Sequence, residues 1–168
     1  MLRLVIIYTI ILFISSGQSE REKKDSIASI PNKTFYQKDN KVENALKFIN
    51  DYVTNSNKIG NRTKIIEWVN SNNLTTKSFK SELKKIIDDA YKAEPEVGLS
   101  FDPILNAQDN PKKGFELEVF DEKTNYLIIR GKDWQEFKLT MKVAEENGNW
   151  LVDGCGIVNI PDSKKSKK

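Results

Sequence analysis

Hydrophobic positions fall at three- and four-residue steps through the first half of the chain and at two-residue steps through the second, with the change at 99–115. Val42, Ala45, Leu46, Ile49 and Val53 share one face of a helix predicted over 40–55, with Glu43, Lys47 and Asp51 opposite. Turn residues at 55–60 end it. A second helix is expected over 62–70, with Ile65, Ile66 and Val69 inward and Asn61 or Thr63 as its cap. The Asn72-Asn73 pair then breaks the chain. A third helix is expected over 76–93, capped by Thr76 or Ser78, with Phe79, Leu83, Ile86, Ile87, Ala90 and Tyr91 as its apolar stripe and Glu94-Pro95 as its stop.

Beyond 115 the period is that of strands. Phe115, Leu117 and Val119 alternate with Glu116 and Glu118, and 126–130 reads as a second strand. Phe137, Leu139, Met141 and Val143 alternate with Lys138, Thr140 and Lys142 in a third. Asn147-Gly148 is a two-residue hairpin signal leading into a last strand expected over 150–160, where Gly154 and Gly156 around Cys155 point to a bulge, a bend or a close approach. These elements predict an α+β domain, three N-terminal helices packed on a curved four-stranded antiparallel sheet.

The connecting stretch, LSFDPILNAQDNPKKGF, is too apolar for a solvated tether, since Phe101, Ile104, Leu105 and Phe115 lie among Asp102, Asn106, Gln108 and Asp109. It reads as a long connection packed on the body, turned by Asp102-Pro103 and Asn110-Pro111.

The ends change the picture more than the body does. Met1-Leu2-Arg3, an apolar run over 4–14 and the small residues Ser15-Ser16-Gly17 have the layout of a secretory signal peptide over 1–17, too short for the roughly 20 residues of a membrane span. An uncleaved anchor is the lesser alternative. A flexible spacer follows over 18–34, with Thr34-Phe35-Tyr36 opening the ordered domain at 35–161, and a basic tail closes the chain at 162–168. The net charge is +3, but without Arg3 and the four tail lysines the body carries 22 basic groups against 24 acidic. That balance argues against a nucleic-acid partner. With no histidine and only one cysteine, His-based triads, His-ligated zinc and an internal disulfide are absent. No cofactor or metal is expected; Glu94, Glu96, Asp102 and Asp109 lack the glycine-punctuated spacing of an EF-hand.

The series FDPILNAQD, KGFE, a strand ending in GKDW and the hairpin ENGNWLVDGCGIVNIP resembles the bacterial domain-of-unknown-function family 3828, a branch of the nuclear-transport-factor-2-like (cystatin-like cone) superfamily, over about 41–161. The resemblance implies a cone, a bent sheet wrapped around helices with a pocket at its open end. It also implies export, often as a lipoprotein, without an assigned activity. Ser16 stands where a lipidated cysteine is expected, so this chain is read as periplasmic or secreted and not lipidated through cysteine.

Two polar sets are candidate sites. Asp102, Asn106, Gln108 and Asp109 either rim a pocket or, the favoured reading, satisfy the backbone of the crossing loop. Alternation places Leu151, Asp153, Cys155 and Ile157 on one face; if that face lines the cone, Asp153 is a carboxylate in an apolar wall, with Tyr91 as its partner. The expected function is an exported, non-catalytic binding domain, monomer or homodimer, for a small molecule or protein. The alternatives are an isomerase or dehydratase using a pocket carboxylate, and an inhibitor or immunity-type protein.

Overall fold

The computed structural model describes residues 33–166, with side chains from Asn40 onward. The leader expected over 1–17, nearly all of the spacer and the side chains of Thr34, Phe35 and Tyr36 lie outside the described residues.

The first helix, α1, runs over Lys33–Ser56 and starts earlier than its apolar period predicts. Residues of ordinary helix propensity extend a helix without adding to a stripe, so periodicity does not mark such a start. Its buried face is Ala45, Phe48, Ile49, Tyr52 and Val53. The second helix, α2, spans Ile65–Ser71, and the cap expected from Asn61 or Thr63 is not made: Lys64 stands at the cap position and no side chain bonds there. Asn55, at the end of α1, has instead taken both backbone groups of Thr63, its Nδ2 donating to the carbonyl at 2.9 Å and its Oδ1 accepting from the amide at 3.2 Å. The third helix, α3, spans Lys77–Ala93. The Phe48 ring meets Trp68 of α2 and Phe79 of α3, each with centroids 5.6 Å apart, so one aromatic residue joins all three helices.

Thr76 caps α3, its Oγ1 accepting from the Phe79 amide at 3.0 Å and donating to Asp153 Oδ1 at 2.9 Å. Thr76→Ala is expected to cost about 1 kcal/mol in urea unfolding, with Thr76→Ser recovering most of it; equal midpoints for the two variants would contradict the capping role.

The strands β1 (Phe115–Asp121), β2 (Tyr126–Gly131), β3 (Lys138–Glu146) and β4 (Asn149–Cys155) form one antiparallel meander in the order β1-β2-β3-β4. The domain is thus α+β, with α1 packed across β1, β3 and β4. Asn147 and Gly148 take φ of 53° and 78°, as the tight β3–β4 hairpin requires. The free edges are tied at specific points. Thr75 bridges Val152 of β4, and Asn50 of α1 holds both backbone groups of Phe115, accepting from its amide at 2.7 Å and donating to its carbonyl at 3.1 Å.

Two bulges redirect side chains that strict alternation places elsewhere. The register of β1 slips between Leu117 and Val119, so Val119 pairs with Ile128 on the outer face and is 50% exposed, while Phe120 turns to the core beside Leu127. In β4 the slip falls opposite Lys142 and Val143. Val152 and Cys155 are both fully buried, and Asp153, the extra residue between them, is not on the Cys155 face. The last strand also ends at Cys155 rather than at 160, because Gly156 takes φ of 66° and the chain turns back, with Val158 and Cys155 exchanging backbone bonds of 3.0 Å. The basic tail covers Thr140: the Thr140 Oγ1 donates to the Lys164 carbonyl at 2.7 Å and lies 2.9 Å from Ser166 Oγ.

Candidate functional site

The end of α1, the α1–α2 turn, the last turns of α3 and the crossing segment surround a cleft of about 780 Å³. Ile65, Ile66, Ile87, Phe101 and Leu105 supply apolar wall, and Tyr52, Asn55, Arg62, Asp102 and Gln108 supply polar groups. No strand residue lines it among the described residues, so it is a cleft of helices and loop and not an opening against the sheet.

Tyr52 is what fixes the crossing segment there. It lies on the buried stripe of α1 at 3% exposure, and a buried phenol needs an acceptor. Its Oη donates to Asp102 Oδ2 at 2.5 Å. Asp102 Oδ1 accepts from the amides of Ile104 at 2.9 Å and Leu105 at 3.1 Å, closing a turn of the kind that Asx side chains make. Asp102 and Ala107 add backbone bonds of 2.8 and 3.3 Å, and Asn106 makes the return with φ of 51°. On the opposite side the segment is fastened to the end of β4, where the Ile157 amide donates to the Pro103 carbonyl at 2.9 Å and Cys155 Sγ donates to the Ile104 carbonyl at 3.4 Å.

The electrostatics follow from that burial. Loss of water pushes the Asp102 carboxyl above its usual range, against the pull of the Tyr52 hydroxyl, the two amides and the Arg62 charge. Burial, and then the neighbouring carboxylate, push the Tyr52 phenol upward. Arg62 acts on both groups, yet it makes no ion pair among the described residues. A shallower depression of about 550 Å³ adjoins the cleft, shares Arg62 and Gln108 with it, and adds Lys58, Asp109 and Lys112.

Of the residues singled out from sequence, Tyr91, Asp102 and Gln108 line the cleft and Asp109 lines the adjoining depression. Asn106 lines neither and serves the turn. Asp153 is elsewhere: it accepts from Thr76 Oγ1 and from Lys142 Nζ at 2.9 Å, on the bulge of β4. Tyr91 is not its partner, because Thr76 and Tyr91 stand at opposite ends of α3, roughly 22 Å apart at about 1.5 Å per residue. Tyr91 is instead 54% exposed at the mouth of the cleft. Cys155 is fully buried, and burial pushes its thiol well up, as in a packed and unreactive cysteine. Among the described residues no three His, Cys, Asp or Glu side chains are placed to hold a metal ion.

Sequence reasoning missed Tyr52, Asn55, Arg62 and Lys64. A tyrosine on an apolar helical stripe was the available sign for Tyr52, since its hydroxyl has to find a partner inside. Nothing in the polar run 55–64 distinguishes Arg62 from its neighbours.

Fold and cleft together define a small α+β domain with a concave site of a size typical for small organic ligands. The chain matches no family model, no curated protein and no solved structure.

Proposed function

We propose that this chain is an exported, non-catalytic binding domain of the nuclear-transport-factor-2-like kind, resembling family 3828, which holds a small molecule in the cleft beside Tyr52 and Asp102. The observation that carries the reading is the commitment of Asp102 inside a cleft of ligand size. Its carboxylate accepts from Tyr52 and two amides and thereby holds the wall in shape, which leaves it poorly placed to take a proton from a substrate. Apolar wall with a few convergent polar groups is the usual make-up of a ligand site. Export rests on the leader pattern of Arg3, the apolar run 4–14 and Ser15-Ser16-Gly17.

A second reading is favoured by Ile59, 98% exposed in the adjoining depression, and by Val97, 61% exposed two positions before Leu99 of the cleft wall. Exposed apolar groups of this kind suit a protein partner, as an inhibitor or immunity-type protein would have. Among the described residues no helix is long and apolar enough to cross a membrane.

Native mass spectrometry of the protein recovered from the envelope fraction of its source separates the two. The expected result is a bound small molecule that is lost in Tyr91→Ala, while that variant keeps its stability within about 0.5 kcal/mol. A protein partner with no small molecule retained would overturn the proposal in favour of the inhibitor reading.

A further inference from the structure

We infer that the cleft is built for an amphipathic organic anion, an apolar or aromatic body carrying one carboxylate, sulfonate or phosphate, with the anionic group at Arg62 and Lys64. This deepens the binding reading above and rests on it.

Three observations converge on that class. The first is the unmatched charge. Of the two arginines among the described residues, Arg130 is paired with Glu116 at 2.9 Å, and Arg62 has no such partner. Lys47, Lys84, Lys85, Lys92, Lys138 and Lys142 are likewise each held by a carboxylate. Arg62 and Lys64 therefore differ from much of the body in offering free cationic donors, and both line the cleft. Guanidinium is the group best shaped to take a planar or tetrahedral oxyanion through two parallel bonds.

The second observation is where the Asp102 carboxylate points. Asp102 turns its oxygens to Tyr52, Ile104 and Leu105, so it lies close enough for Arg62 to act on it without being ion-paired to it. The adjoining depression adds Lys58 and Lys112 against Asp109 alone, so the mouth is cationic although the folded body as a whole is slightly acidic. A mouth of net positive charge leading to apolar walls concentrates ligands of the opposite sign.

The third is size and lining. A free phosphate or sulfate needs only the cations; it has no use for about 780 Å³ walled by Ile65, Ile66, Ile87 and Phe101. A neutral apolar ligand would make no use of the cationic donors Arg62 and Lys64 on the cleft lining. An anion with an apolar body satisfies both parts of the site.

The test is a fluorescence titration of the folded chain with anilinonaphthalene sulfonate, displaced by decanoate or by decanol. The expected result is saturable binding displaced by decanoate and not by decanol, weakened about tenfold by Arg62→Gln and further by Arg62→Gln/Lys64→Gln. Lys123→Gln, in the distant β1–β2 turn, serves as the control and leaves it unchanged. Circular dichroism of each variant reports that the fold is kept. Equal displacement by decanol, or full affinity in Arg62→Gln, overturns the anion class; a neutral passenger in native mass spectrometry would then leave the binding domain standing. Sedimentation with phosphatidylcholine vesicles containing phosphatidylglycerol separates the sources of the anion. Binding to vesicles with none to monomeric decanoate overturns the cleft as the site.

Discussion

Gly156→Ala is expected to cost about 4 kcal/mol or more, enough to bring a domain of ordinary stability to the edge of unfolding. Gly156 takes φ of 66°, and a Cβ there would stand 2.3 Å from the Ile104 carbonyl oxygen and 2.4 Å from that of Pro103. Both obstacles are backbone, so neither can rotate aside. The left-handed conformation alone accounts for roughly 1–2 kcal/mol. The remainder comes from separating the end of β4 from the crossing segment, which would also stretch the Ile157 amide from the Pro103 carbonyl and the Cys155 thiol from the Ile104 carbonyl. Gly60→Ala is the matched control, because Gly60 takes φ of 82° with nothing within 4 Å of the added carbon. Urea midpoints and slopes for both variants isolate the close approach. A loss at Gly156 no larger than at Gly60 would mean that the segment rides loosely on the sheet, and the wall of the cleft with it.

The faces of the elements were legible in the sequence because each has a period. Phe79 and Leu83 of α3 and the alternating Leu139, Met141 and Val143 of β3 are buried as their spacing predicts, and Asn147-Gly148 turns the hairpin where turn chemistry places it. Periodicity fails where one residue is inserted. A single extra residue in β1 puts Val119 outside and Phe120 inside, and another in β4 removes Asp153 from the wall it was assigned to. Bulges have no signature in a count of apolar positions, although the glycine at 154 was a sign that the last strand is irregular.

The site was legible only in part. Asp102-Pro103 announces a turn, and the turn is there, but its anchor is Tyr52 on a helix fifty positions away in the chain. That contact is the product of tertiary packing, which local sequence cannot report. The same limit explains why the pairing of Asp153 with Tyr91 fails: both lie on elements that touch, and only the direction of α3 separates them.

Removing the Asp102 carboxylate is expected to destabilise the domain by about 2–3 kcal/mol as alanine and by far less as asparagine at pH 7. Alanine strands the Tyr52 hydroxyl and the amides of Ile104 and Leu105 at once. Asparagine keeps an oxygen for the two amides and presents an N–H to the Tyr52 oxygen. The pH dependence separates the two effects. Burial raises the folded-state affinity of Asp102 for its proton, so the folded chain holds that proton to higher pH than the unfolded chain does. The associated stability is present in full below the unfolded carboxylate range near pH 4 and is lost as pH rises through the higher folded value. Asp89, Asp121, Asp133 and Asp162 titrate in the opposite sense, held low by their hydrogen bonds, and they contribute equally to wild type and variant. In the difference between Asp102→Asn and wild type they cancel. That difference should therefore move in favour of asparagine as pH rises from 4 to 7, read as converging or crossing urea midpoints. Parallel profiles would show that the Asp102 carboxylate is held in its charged form as comfortably in the fold as in water.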